Sequence, residues 1–255
     1  MSIIVSMTSH SARLVASAAR ACFSILDQTV RPDKFILWIG SQYKNDISPL
    51  LQWLQEGGLE IRFTEDVGPA TKLIPALQAF PDDVIITVDD DRNYPRDTLE
   101  NLVRLHNVFP AKIVSNSVKE LQVDSEGNFI NGVWNYEVIR NSSLLTKFMW
   151  PQGFGGVLYP PKSLHQDVFD IDLLKEICFT HDDVWFYGMS ILAGTDRVWT
   201  QHHHGPVYRI EPDNAPGETA LWKVNNTEHN SSAKHCFDRL FNRYPQIRKF
   251  LKHNI

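Results

Sequence analysis

The sequence predicts an α/β fold: a mixed, mostly parallel sheet flanked by helices, followed by a second half of irregular pattern. Two observations predict it. Short apolar runs of strand length alternate with segments of helical periodicity over roughly the first 120 residues. The 255 residues are 43% hydrophobic and 22% charged, with no repeat, low-complexity tract or linker, which suits one domain with one sizeable core.

The elements follow in order. Ile3 to Met7 reads as a buried strand, and Ser11 to Asp27 as a helix. Phe35 to Ile39 is a second apolar strand ending at Gly40, and a helix from Ser48 to Glu56 stops at Gly57-Gly58. Leu59 to Phe63 alternates like a more exposed strand. In Ala70 to Phe80, Leu73, Ile74, Leu77 and Phe80 fall on one helical face, and Val84 to Val88 is the next strand. A helix follows Pro95, with Leu99, Leu102, Val103 and Leu105 at helical spacing, and Lys112 to Val118 is again strand-like. From Leu121 to Tyr159 the pattern loosens into aromatics, glycines and asparagines. A helical run resumes after Asp182, and Arg197 to Thr200 reads as a last strand. The chain divides into a ligand-binding half over 1–118, a catalytic half over 119–205 and an extension over 206–255.

Bulk properties exclude several classes. A net charge of −5 argues against a nucleic-acid binder. Cys22, Cys178 and Cys236 are odd in number and far apart, which suggests no disulfide framework and fits a reducing, cytoplasmic location. The apolar part of the N-terminus is too short for a signal peptide, and no run approaches the ~20 apolar residues of a membrane span. Three sequons, at 141–143, 225–227 and 230–232, are read as accidental.

Four features carry chemistry. In an open α/β sheet the ligand crevice lies beyond the C-terminal ends of the strands, so Val84 to Val88 delivers Asp89, Asp90 and Asp91 to its mouth. Three adjacent carboxylates repel one another; they are either a solvated turn or a place where something positive sits. Alternate aspartates can aim at one hard cation, which takes carboxylates together with substrate phosphates. Gly153-Phe154-Gly155-Gly156 precedes another strand and is either a tight turn or a close approach of backbone to ligand. Asp182-Asp183 opens a helix; such acids serve as caps or, on a rigid site wall, as a general base. His202-His203-His204 is a surface loop or a source of one imidazole ligand.

Taken in order, these features resemble nucleotide-sugar glycosyltransferases of the GT-A fold, a Rossmann-like architecture. The segments IIVSMTSHSARL, RPDKFILWIG, DVGPATKLIPAL and VDDDRNYP resemble, more narrowly, bacterial glycosyltransferases of polysaccharide and lipooligosaccharide assembly. The resemblance covers Ile3 to about Gly205. It implies that Asp89 and Asp90 face the ribose and sugar, and that Asp91 holds a divalent metal, Mn²⁺ or Mg²⁺. It further implies that Thr8, Ser9 and Arg13 line the nucleotide pocket, with Asp66 and Lys72 nearby, and that Gly155 and Gly156 border the sugars. Asp183 matches the catalytic base, with Asp182 in place of the more usual glutamate. A C-terminal metal ligand falls among His202, His203 and His204; the run gives no way to choose, and His203 is taken.

The expected reaction is single-displacement transfer, with inversion, from a nucleoside diphosphate sugar, a UDP-sugar by expectation, to a glycan or glycolipid. The rivals are a sugar nucleotidyltransferase, for which SMTSHSARL lacks a glycine-rich loop, and an inert sugar- or nucleotide-binding protein. Lys72 alone reads as a leaving-group cation or a solvated surface charge. Aromatic faces suit sugar rings, and Trp150, Phe154 and Trp185 adjoin the motifs, although most tryptophans are core. The tail from Arg239 to Ile255 is basic and amphipathic. It either packs on the domain or lies peripherally on an anionic membrane surface, where a lipid-linked acceptor would be found.

Overall fold

The computed structural model describes residues 1–15, 17–134, 146–201, 208–209 and 233–252. The strands are β1 (Ile3–Ser9), β2 (Lys34–Gly40), β3 (Leu59–Thr64), β4 (Val84–Thr87), β5 (Arg92–Asn93), β6 (Ile113–Ser115), β7 (Val118–Val123), β8 (Phe129–Val133), β9 (Met149–Pro151), β10 (Val157–Tyr159), β11 (Arg197–Trp199) and β12 (Tyr208–Arg209). The helices are α1 (Ser11–Val15), α2 (Ala18–Leu26), α3 (Pro49–Leu54), α4 (Ile74–Ala79), α5 (Thr98–Val108), α6 (Ile171–Cys178), α7 (Asp182–Leu192), α8 (Ala233–Arg243) and α9 (Pro245–Lys252).

The main sheet runs β11-β6-β10-β4-β1-β2-β3. All its neighbours are parallel except β10, which lies antiparallel between β4 and β6. The architecture is therefore the mixed, mostly parallel one that the alternating pattern predicts. The chain passes from β1 to β2 and β3 on one side, then returns to place β4 on the other side of β1. A crevice opens at such a reversal of strand order. Ser9 at the end of β1 and Asp89–Asp91 beyond β4 both reach it. A smaller antiparallel sheet, β8-β7-β9, flanks this core, and β5 pairs with β12.

Alternation along the strands makes two cores. Ile4, Ile36 and Ile85 face one side with residues of α4, α6, α7, α8 and α9; Val5, Leu37 and Ile86 face the other with α2, α3 and α5. Some expected elements are cut shorter. The helix from Ser11 to Asp27 divides into α1 and α2, so that α1 carries Arg13 toward the crevice while α2 keeps its apolar stripe on the sheet. The helix expected from Ala70 begins as a 3₁₀ turn over Gly68–Lys72, and α4 follows with Pro75 in its first turn, where a missing N–H costs nothing. Lys112 to Val118 divides between β6 and β7.

The tail forms α8 and α9, with Pro245 opening α9. Phe237, Leu240, Phe241, Tyr244, Ile247 and Leu251 are buried in the same core as α7. The apolar face thus packs largely on the domain. No helix among the described residues is long and apolar enough to cross a membrane. All three cysteines are buried free thiols. Phe237 stacks on Phe129 at 4.4 Å and meets the Trp150 and Tyr187 rings edge-on at 5.0 and 5.8 Å. Phe237→Ala should cost ~3–5 kcal/mol of stability, read from urea unfolding, through the cavity it leaves between α8 and the small sheet.

Candidate active site

The three aspartates occupy a cleft of about 620 Å³ lined by residues from the ends of β1 and β4, the turn after β3 and the start of α7. The positive charge that their repulsion calls for comes first from the protein. Arg13 on α1 donates to Asp90 Oδ1 at 2.5 Å and lies 3.3 Å from Asp91 Oδ2. The Ser9 hydroxyl donates to the other Asp90 oxygen at 2.5 Å. Lys72 Nζ donates to Asp89 Oδ1 at 2.7 Å, and Arg92 lies 3.3 Å from Asp91 Oδ1. The turn itself is tied down where the Asp89 N–H donates to the buried Tyr94 hydroxyl.

Lys72 is the centre of the arrangement. It is only 5% exposed, in the 3₁₀ turn, and the Ser6 hydroxyl of β1 donates to its carbonyl. Its ammonium also stands 2.9 Å from Asp182 Oδ2, an ion pair lacking hydrogen-bond alignment. Burial alone would lower its pKa, but Asp182 and Asp89, with Asp183, outweigh burial and hold the ammonium well above its usual range. Correspondingly, burial would raise Asp89, but Lys72 overrides it and keeps the carboxylate low.

Asp183 has the opposite balance. Burial first, then the Asp182 charge, push its pKa up to about 7, with Lys72 opposing. Its Oδ1 accepts the Gly153 N–H at 3.0 Å. A Cβ on Gly153 would sit 2.8 Å from Lys72 Nζ and 2.9 Å from Asp183 Oδ1, so only glycine lets that loop close on the pair. A carboxyl titrating near neutrality, half-buried on a cleft wall, can take a proton from a bound hydroxyl.

The structure brings Thr8, Ser9, Arg13, Asp66, Lys72, Asp89, Asp90, Asp91, Phe154, Asp182 and Asp183 together around one cleft. Asp66 accepts from Gln42 Nε2 and from the Gly68 N–H. Gly155 and Gly156 lie behind the cleft instead. A Cβ on Gly155 would strike Ser117 at 2.5 Å, and Gly156, with φ +90°, faces Leu102 and Thr98. Trp150 packs on Phe129 and Phe237, and Trp185 is fully buried with its indole N–H on the Val168 carbonyl; neither lines the cleft. His202, His203 and His204 fall outside the described residues, as do the three sequons. Sequence reasoning missed Arg92, the Tyr94 hydroxyl behind Asp89 and the wall formed by Phe179, Thr180 and His181. Arg92 could have been found, since a cation directly follows the triplet.

Among the described residues no three His, Cys, Asp or Glu side chains converge as a metal cage. The donor set nonetheless fits a hard cation shared with a diphosphate, which needs only one or two carboxylates from the protein. Asp89, Asp90, Asp91, Asp182 and Asp183 are five carboxylates against the three cations Arg13, Lys72 and Arg92, an excess of two negative charges when all are ionised. Asp91 registers that excess. Burial and the charges of Asp89 and Asp90 raise its pKa despite both arginines.

The fold and site define a Rossmann-like α/β domain with an acidic, lysine-bridged crevice. No protein-family model matches the chain, and no curated protein matches it. Solved structures do. A cytidylyltransferase from Leptospira borgpetersenii aligns over 100% of this chain and 98% of its own, at 7% identity and a TM-score of 0.50. A CMP:2-keto-3-deoxy-manno-octonic acid synthetase complexed with CTP gives 12% identity and 0.47 over 89% of this chain and 98% of that one. Staphylococcus aureus TarS 1-349 in complex with UDP-GlcNAc gives 13% identity and 0.46 over 78% of this chain; the match spans 56% of the TarS chain, a little over half its length. At such identities the likeness is one of fold.

The raised pKa of Asp183 has a consequence for stability. The folded protein keeps a proton there that the unfolded chain releases from about pH 4, so the group's contribution is full below that pH. It is lost as pH rises through about 7. Asp183→Asn, permanently neutral, should melt higher than the wild type above pH 7, with the two curves converging near pH 4 in a thermal-denaturation series.

Proposed function

We propose that this protein is an inverting, metal-dependent glycosyltransferase that moves a sugar from a nucleoside diphosphate donor, a UDP-sugar in the simplest case, to a glycan or glycolipid acceptor. The observation that carries the reading is Asp183, a half-buried carboxyl near neutral pKa, sharing one cleft with a triplet of aspartates already organised by Arg13, Lys72 and Arg92. Asp183 takes the proton of the acceptor hydroxyl as its oxygen attacks the anomeric carbon. The bond to the diphosphate breaks on the opposite side, its electron pair leaves with the phosphate, and the configuration inverts. In this reading Asp89 and Asp90 serve the ribose and sugar hydroxyls, and Thr8, Ser9, Arg13 and Asp66 the nucleoside end.

Asp91 would hold Mn²⁺ or Mg²⁺ jointly with the diphosphate, with His203 as the proposed further ligand; such an ion neutralises charge that grows on the leaving group. Lys72 keeps Asp89 and the acid pair at fixed separation rather than serving as a free phosphate ligand, because both its close neighbours are carboxylates. A sugar nucleotidyltransferase is the second reading, since the Leptospira cytidylyltransferase matches over the whole chain. Against it, the loop after β1 has no glycine and its one arginine is committed to Asp90 and Asp91.

A thermal-shift series decides the ligand class. UDP with Mn²⁺ should raise the melting temperature according to mass action, and Asp91→Asn should remove the metal's share of that shift. Absence of any shift with nucleoside diphosphates overturns the reading, and a response to nucleoside triphosphates alone favours the rival. Asp183→Asn should lose turnover by at least about a hundredfold while retaining UDP binding, and wild-type kcat/KM should climb with pH to a plateau above about 7. Normal turnover in that variant removes Asp183 as base.

A further inference from the structure

Beside the cleft the small sheet carries an aromatic and cationic shelf whose Trp134 and Lys119 take no role above. Register pairs Lys119 of β7 with Trp150 of β9, and Trp134 follows β8 directly. Lys119 Nζ stands 5.1 Å from the Trp134 ring centroid and 5.2 Å from that of Trp150, between two indoles. Trp150 is buried, but Trp134 is 46% exposed. The Trp134 ring meets Phe154 at 5.9 Å, and the Arg92 guanidinium covers Phe154 at 4.9 Å. Phe154 and Arg92 themselves line the cleft with Asp183. The shelf is therefore continuous with the wall that holds the base.

The ammonium on the shelf differs from the cations deeper in the site, whereas Arg92 is shared with Asp91. Arg13 and Lys72 are each committed to two carboxylates. Lys119 has no carboxylate ion pair among the described residues; its neighbours are rings. Burial lowers its pKa, with the charge of Asp183 opposing. A half-buried ammonium with no carboxylate partner among the described residues, beside an exposed indole, fits a ligand that brings both an apolar ring face and a negative charge. A sugar ring presents C–H groups to Trp134, and a phosphate or carboxylate on it meets Lys119 and Arg92 in charge-assisted hydrogen bonds.

We propose that Trp134, Phe154, Lys119 and Arg92 form the acceptor subsite, and that the acceptor is a sugar residue carrying an anionic group, phosphate or carboxylate. The inference rests on the transferase reading and narrows its acceptor class. The test uses the intact protein saturated with UDP and Mn²⁺, titrated with glucose, glucuronate or glucose 6-phosphate and followed by ligand-observed NMR. At least one anionic sugar should bind about tenfold more tightly than glucose, and which one does so separates carboxylate from phosphate. Lys119→Met should erase the preference, Lys119→Arg should keep it, and Trp134→Ala should weaken all three sugars. Equal binding of charged and neutral sugars, no measurable binding of either anion, or a preference unchanged in Lys119→Met overturns the proposal. UDP is titrated into every form in parallel. With UDP bound normally, any such failure belongs to the acceptor subsite alone, whereas failure of the wild type to bind UDP overturns the underlying reading as well.

Discussion

The buried ammonium of Lys72 is the interaction on which the cleft depends. An isolated charge at 5% exposure would be strongly penalised, and two adjacent acids from different elements would repel. Each penalty is offset only by the other. Lys72 joins the turn after β4, through Asp89, to the first turn of α7, through Asp182. Ser6 fixes the lysine's backbone to β1, so three elements distant in sequence are held in register by one side chain. Buried ion pairs contribute little net stability against an apolar replacement, but losing one partner leaves the others uncompensated. The arrangement is thus better understood as a device for geometry than for stability.

That device also explains the difference between the two acids of α7. Asp182 meets Lys72 directly, whereas Asp183 feels burial and its neighbour's charge with only partial relief, and retains a proton to about pH 7. Two carboxylates adjacent in sequence thus differ in their relation to one lysine, Asp182 being ion-paired with it at 2.9 Å. Gly153 completes the effect. Its N–H gives Asp183 its one backbone donor, and its missing side chain is what allows the loop within reach of both Lys72 and Asp183.

The strands and the acidic triplet were legible in the sequence because both are local. An apolar run followed by Asp89–Asp91 needs only period and length to be read, and the order of elements then places the crevice. Lys72 was not legible as a buried residue, because its burial comes from partners 17 and 110 positions away and leaves no periodic trace. Proximity to motifs misled for the tryptophans. Trp185 is two residues past Asp183, about 200° around the helix at 3.6 residues per turn, and so enters the core that Asp183 leaves. Trp150 lies on β9 with its ring turned to Phe237, while the exposed indole beside the cleft is Trp134, which adjoins no motif at all. Gly155 and Gly156 failed similarly: their glycines are required by Ser117 and by a positive φ, and the cleft is met by Gly153 and Phe154.

The C-terminal helices show the same limit from the other direction. Their basic, amphipathic pattern is consistent with a membrane surface or with packing on the domain, since both bury one face. The choice is set by Phe237, whose ring fits among Phe129, Trp150 and Tyr187, residues from the small sheet and from α7. Because α7 begins at the acid pair, α8 supports from behind the helix that presents Asp182 and Asp183. The tail is thereby part of what positions the acid pair.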